Sequence, residues 1–248
     1  MAGKRAIVII LLIIALTSGC GNLVTTPVPT PSPLATTTLV PDPSPTPVPP
    51  LVFDISGMNF YEDPVGSLRF LLEVRNMNDF DVEGVKATVS LQDAEGQIVD
   101  SRSGYARLDV LRAGGTAPIV VVFFLRAPEF SAYKVEIEGQ EADYLAGLLH
   151  THLQVVEETG RVGQWVPYEV LGQIQNAGDR DAESVTLAVT CYDVGGKVVA
   201  VASGRPTDRT IPAGGSSDFV VSIGAVAGEI VSCEAQVEGL IASYVDQF

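Results

Sequence analysis

Residues 176–204 read NAGDRDAESVTLAVTCYDVGGKVVAVASG, and residues 76–104, NMNDFDVEGVKATVSLQDAEGQIVDSRSG, repeat them without a gap. At a constant offset of 100, Asn76, Asp79, Asp81, Glu83, Val85, Val89, Asp93, Gly96, Val99, Ser103 and Gly104 meet their own kind at Asn176, Asp179, Asp181, Glu183, Val185, Val189, Asp193, Gly196, Val199, Ser203 and Gly204. The register continues outward. Ala113-Gly114-Gly115 meets Ala213-Gly214-Gly215, Val120-Val121 meets Val220-Val221, Glu138-Gly139 meets Glu238-Gly239, and Tyr144 meets Tyr244. Such periodic self-similarity marks a tandem duplication. We take residues 51–148 as copy 1 and 149–248 as copy 2, each of a size that supports its own core.

Around this stretch the apolar residues alternate. Leu68, Phe70, Leu72 and Val74 share one parity, matched by Tyr168, Val170, Gly172 and Ile174. Strict alternation argues for strands with one buried face. Val85, Ala87, Val89 and Leu91 repeat the pattern at Val185, Leu187, Val189 and Cys191. Turn residues follow at Asp93–Gly96 and Asp193–Gly196, before Ile98-Val99 and Val198-Val199 resume the chain, which predicts a hairpin in each copy. Ile119, Val121 and Phe123, then Tyr133, Val135 and Ile137, supply two further strands, mirrored by Phe219, Val221 and Ile223 and by Cys233, Ala235 and Val237. No amphipathic helix is expected. Short strands separated by regular turns predict an all-β chain, a β-sandwich in each half.

Gly172, Asn176-Ala177-Gly178, Val185–Val189, Cys191-Tyr192-Asp193, Gly196, Val198-Val199, Ile211-Pro212-Ala213-Gly214 and Phe219 together resemble the FxLYD family of bacterial extracytoplasmic domains. The likeness covers most of residues 165–224 and, more weakly, 65–124. Cys191 replaces the family's Leu, and Gln92 stands in copy 1 where Tyr192 stands in copy 2. The resemblance implies two tandem immunoglobulin-like sandwiches on a secreted or lipid-anchored protein, with no catalytic activity.

The N-terminus is read as an address. Lys4 and Arg5 precede an apolar run from Ala6 to Leu16, and Ser18-Gly19 precede Cys20. That run is shorter than the ~20 residues a spanning helix needs, so residues 1–20 are taken as a signal peptide. The Ser-Gly-Cys junction resembles the lipobox of bacterial lipoproteins, although Thr17 stands where that pattern usually has Leu. The resemblance implies that Cys20 receives diacylglycerol and becomes the mature N-terminus; the alternative is an ordinary secretory signal that ends in Cys. Residues 21–50 carry ten of the chain's sixteen prolines. With Thr and Ser between them they form no apolar face, and this segment is expected to be a disordered, semi-rigid spacer.

The formal charge of −15 divides as +1 over residues 1–50, −8 over 51–148 and −8 over 149–248. Two acidic copies have no electrostatic footprint for nucleic acid, which is excluded as a partner. Cys191 and Cys233 remain once Cys20 is lipidated. Both fall on the inward parity, and Leu91 and Tyr133 at −100 are an apolar pair suited to touching. A Cys191–Cys233 disulfide is expected, two separate buried thiols being the alternative. Asn76, Asn78, Asp79, Asp81 and Glu83, with Asn176, Asp179, Asp181 and Glu183, offer oxygen ligands of the kind calcium takes. They lack the glycine and terminal Glu of an EF-hand loop, and Asn and Asp are also common turn residues, the reading adopted here. His150 and His152 are read as a solvated linker, and Trp165 as packing over a sandwich edge, with an exposed contact for protein or carbohydrate as the alternative. No GxSxG, HExxH or glycine-rich phosphate loop occurs, so no catalytic, cofactor or metal residues are assigned. The expectation is a membrane-anchored, non-catalytic binding or structural module facing the extracytoplasmic side. It would contact the membrane through its N-terminal lipid and an envelope protein or glycan through its sandwiches. The alternative is an accessory subunit or solute-binding component of an envelope complex.

Overall fold

The computed structural model describes residues 50–124 and 126–242. The signal segment, Cys20, residues 21–49 and Tyr244 lie outside them. Copy 1 forms β1 (Phe53–Glu62), β2 (Leu68–Asn76), β3 (Val82–Gln92), β4 (Ile98–Tyr105), β5 (Val110–Leu111), β6 (Thr116–Phe123) and β7 (Ala132–Glu141). Copy 2 forms β8 (Leu153–Arg161), β9 (Tyr168–Asn176), β10 (Ala182–Tyr192), β11 (Val198–Gly204), β12 (Thr210–Ile211), β13 (Ser216–Ile223) and β14 (Ser232–Ile241). Between them runs α1 (Tyr144–Leu148), five residues that no amphipathic period announces.

Each copy is a sandwich of two antiparallel sheets. In copy 1, β1-β2-β6 faces β4-β3-β5 with β7 added to β3; in copy 2, β8-β9-β13 faces β11-β10-β12 with β14 added to β10. The duplication holds in register as well as in order. Bulges at Ile55/Gly57, Glu83/Lys86 and Leu91/Gln92 recur at Val155/Glu157, Glu183/Thr186 and Cys191/Tyr192. A bulge re-aims every residue after it, so its recurrence keeps the same positions facing inward in both copies. The hairpins form as expected: Asp93 Oδ1 accepts the Glu95 and Gln97 N–H groups, and Asp193 Oδ1 those of Gly195 and Lys197. Gly96 and Gly196 take φ of 80° and 76°, a region that a Cβ disfavours.

Inward positions fill the two cores. Phe70, Leu72, Val74, Val89, Leu91, Ile119 and Val121 of copy 1 are fully buried, as are Val170, Ile174, Leu187, Val189, Cys191 and Ile223 of copy 2. Filling differs. Copy 1 packs Phe60, Phe70, Phe123, Phe130 and Tyr133 together, with ring centroids 5.1 Å apart for Phe60–Phe70 and 5.2 Å for Phe70–Tyr133. Copy 2 has Gly160, Val170, Ile223, Ile230 and Cys233 at those positions. Two side chains reclaim the lost volume. Tyr168 lies where a Cβ on Gly160 would meet its hydroxyl at 2.2 Å, and the Phe219 ring occupies the space beside Gly172.

The described residues of both copies belong to one compact unit. The outer face of β1-β2-β6 meets the outer face of β11-β10-β14. Leu71 (2% exposed) and Asn59 (7%) on one side, and Ala188 (0%), Thr190 (3%) and Val198 (0%) on the other, point away from their own cores and are buried by this contact.

Candidate functional site

Cys191 and Cys233 are direct register partners on β10 and β14, as Leu91 and Tyr133 are on β3 and β7. Their sulfurs are bonded at 2.02 Å, with Cα atoms 4.0 Å apart. The expected bridge is therefore present. Inward parity brings the two side chains together, and the antiparallel pairing sets them face to face.

The Asn/Asp run is occupied with holding loops. Asn76 is fully buried at the end of β2; its Nδ2 donates to the carbonyls of Phe80 (2.8 Å) and Leu111 (3.1 Å), and its Oδ1 accepts the Asn78 N–H (3.0 Å). Asn176 does the same with Arg180 (2.7 Å), Ile211 (2.9 Å) and the Gly178 N–H (3.0 Å). Asp81 and Asp181 accept the N–H of Ala113 and Ala213, each at 2.9 Å. These side chains tie the β2–β3 and β9–β10 loops to the strands beside them, satisfying backbone groups that would otherwise be buried without partners. Among the described residues, no group of three or more His, Cys, Asp or Glu is set to hold a metal ion.

His150 departs from the expected solvated linker. It is 6% exposed, its N–H donates to the Gly239 carbonyl (2.7 Å), and Leu149 bridges to Leu240, which draws the junction onto β14. Nδ1 accepts the His152 N–H (3.3 Å), so the ring proton belongs on Nε2, which donates to the Arg180 carbonyl (2.9 Å). His152 is exposed. The ring sits where a Cβ on Gly178 would meet His150 Cε1 at 2.7 Å. At that register position copy 1 carries Asn78, whose amide bonds both backbone groups of Val52.

Trp165 also departs from expectation. It is 88% exposed on the β8–β9 loop, beside Val162 at 80%, and packs over nothing. An open groove of about 450 Å³ on the outer face of β8-β9-β13 is lined by Glu157, Thr159, Leu171, Gln173, Asp218 and Val220, among others.

Parity does not show which outer-face residues join the copies. Asn59 Nδ2 donates to the Val198 carbonyl (2.8 Å), Tyr192 Oη to Glu73 Oε1 (2.6 Å), and Gln236 Nε2 to the Thr116 carbonyl (3.1 Å). The Glu238 carboxylate accepts the N–H groups of Asp109 and Val110. Burial pushes the Tyr192 hydroxyl upward, and the bonded Glu73 carboxylate adds to it. Burial likewise raises the Glu238 carboxyl, against the pull of its two amide donors. One signal for this contact does lie in the sequence: Leu71, Pro118, Ala188 and Val198 are apolar on outward positions.

No protein-family model matches the chain, and no curated protein matches it. Among solved structures, it aligns with red sea bream transglutaminase at 8% identity and a TM-score of 0.26, over 78% of this chain and 29% of that one. The chain thus spans less than a third of that protein's length, and the likeness carries no argument. Among the described residues, no helix is long and apolar enough to cross a membrane.

Proposed function

We propose that this chain is a membrane-anchored extracytoplasmic lipoprotein whose paired sandwiches act as a non-catalytic binding or structural module. The Cys191–Cys233 disulfide is the observation that carries the reading, because such bonds persist in oxidising compartments outside the cytosol. It agrees with the export signal ending at Cys20 and with the proline-rich spacer behind it. Binding would fall to the β8–β9 tip, where Trp165 and Val162 present apolar surface that the fold leaves uncovered. Fractionation tests the anchor: the full chain should partition with membranes, and its Cys20→Ala variant should be released. Equal release of both would overturn it. A photo-crosslinking residue at position 165 should capture a partner on intact cells, while the same residue at Val65, its counterpart in copy 1, should not; equal labelling would remove the tip from the proposal.

A further inference from the structure

The contact between the copies is made by two different surfaces, an outer three-stranded face of copy 1 and an outer four-stranded face of copy 2. Such heterologous contacts leave a face of each kind free at the two ends of a stack, to be met only by a further copy or by closure into a ring. Among the described residues, each copy therefore keeps one face of the opposite kind uncovered: β4-β3-β7 in copy 1 and β8-β9-β13 in copy 2. By the offset of 100, each uncovered face is the same piece of fold as a face already in use.

Much of the complementarity survives on the uncovered pair. Thr159 stands in place of Asn59 as a donor, and Ile98 in place of Val198. Gln173 and Gln92 replace the bonded Glu73 and Tyr192, and Ser216 and Glu136 replace Thr116 and Gln236. Ile98 (62% exposed) and Val220 (51%) keep apolar surface on edge strands of the two faces. Two positions oppose a continued stack. A Cβ on Gly57 would lie 3.1 Å from Val198 Cγ2, and copy 2 has Glu157 there, which would face the larger Ile98. Pro118 is buried under copy 2, whereas its counterpart Asp218 is exposed. Continuing the stack would bury the Glu157 carboxylate against the apolar Ile98 and put the Asp218 carboxylate where Pro118 is buried, a costly desolvation.

We infer that these two faces form a latent head-to-tail interface for a second copy of this chain, and that Glu157 and Asp218 hold it open so that the stack ends at two modules. Polar terminal faces serve the same end in stacked repeat proteins.

Sedimentation of the full chain tests this, with Cys20→Ala present throughout so that lipid drives no association. The parent should remain monomeric. Glu157→Gly with Asp218→Pro should associate with rising concentration, into a growing chain or a closed ring, because each copy added presents the same pair of faces. Proline is compatible with that strand, since Pro118 occupies the same register position opposite Glu73; Glu157→Gly with Asp218→Ala provides a second variant that avoids it. Adding Ile98→Asp on the opposite face should restore the monomer. Monomeric behaviour of both double variants with native circular dichroism, association that survives Ile98→Asp, or a parent that already associates through these faces would each overturn the inference.

Discussion

Copy 1 packs a cluster of five aromatic residues onto its aliphatic core, and copy 2 holds the same frame with aliphatic side chains, the Tyr168 and Phe219 rings and one covalent bond. Strand order, the three bulges and the Asn76/Asn176 and Asp81/Asp181 loop braces agree at the offset, so the main difference lies in the filling. Aromatic rings bury large areas and interlock edge to face. Copy 2 has lost four of those rings and a tyrosine; Tyr168, Phe219 and the disulfide take over. A frame set by alternation and turns evidently accepts two unlike cores, provided the volume is restored.

The disulfide should produce the largest effect. Cys191 and Cys233 lie 42 residues apart, and closing a loop of that size stabilises by about 4 kcal/mol in the chain-entropy model. Reduction, or Cys191→Ala with Cys233→Ala, should cost copy 2 that much in urea unfolding followed by circular dichroism. A loss below about 1 kcal/mol would show that aliphatic packing alone suffices there.

Next in size is a comparison of one residue type at one position. Leu71 is 2% exposed because copy 2 covers it, whereas Leu171 lines an open groove. Leu71→Ala should cost about 2–4 kcal/mol and Leu171→Ala about 1 kcal/mol or less by the same denaturant measurement. Equal costs would mean that the contact between the copies contributes little.

A backbone difference is smaller still. Gly84 has φ of 62° at the β3 bulge, and Ser184 is held at 51° at the equivalent bulge of β10. Ser184→Gly should stabilise by about 1 kcal/mol and Gly84→Ser should destabilise by a similar amount, since nothing lies within 4 Å of a Cβ at position 84 and only the backbone preference changes.

The pH dependence separates two carboxyl groups by sign. The Arg69 side chain and the Ser67 and Val65 N–H groups hold Asp63 below the ordinary carboxylate range. Its contribution is present above the unfolded-state value and is lost as pH falls through the lower folded value, and Asp63→Asn should remove that acid-side decline. Glu238 is raised by burial, so its contribution is full below the ordinary Glu value and fades as pH rises through the folded one. Glu238→Gln should therefore gain on the parent as pH rises from 4 to 7. Thermal midpoints across that range check both signs; parallel slopes for the parent and Glu238→Gln would remove the assigned effect.

Much of the fold was legible because period and turn chemistry are local properties. Leu68–Val74 showed its inward face, Asp93–Gly96 its hairpin, and the Leu91/Tyr133 pair pointed to the bridge at +100. What stayed hidden depends on neighbours distant in sequence. His150 looks like linker until Leu149 is seen bridged to Leu240, and Trp165 looks like edge packing until its side chain is found 88% exposed. The contact between the copies left only a faint trace, Leu71 at a position whose neighbours Arg69 and Glu73 are charged, because a strand pattern does not say what will cover its outer face.

The burial of the bridge also sets a clock. An external thiolate must reach a sulfur before it can exchange, and Cys191 is fully enclosed while Cys233 is only partly covered. Attack at Cys191 must then wait for the second sandwich to open, so a reduction rate that saturates at high reductant reports the opening rate, whereas one that keeps rising with thiol concentration reports direct attack at Cys233. Variants that loosen the covering contact at Val198 should shorten that time, turning a static bond into a measure of how often this half of the molecule breathes.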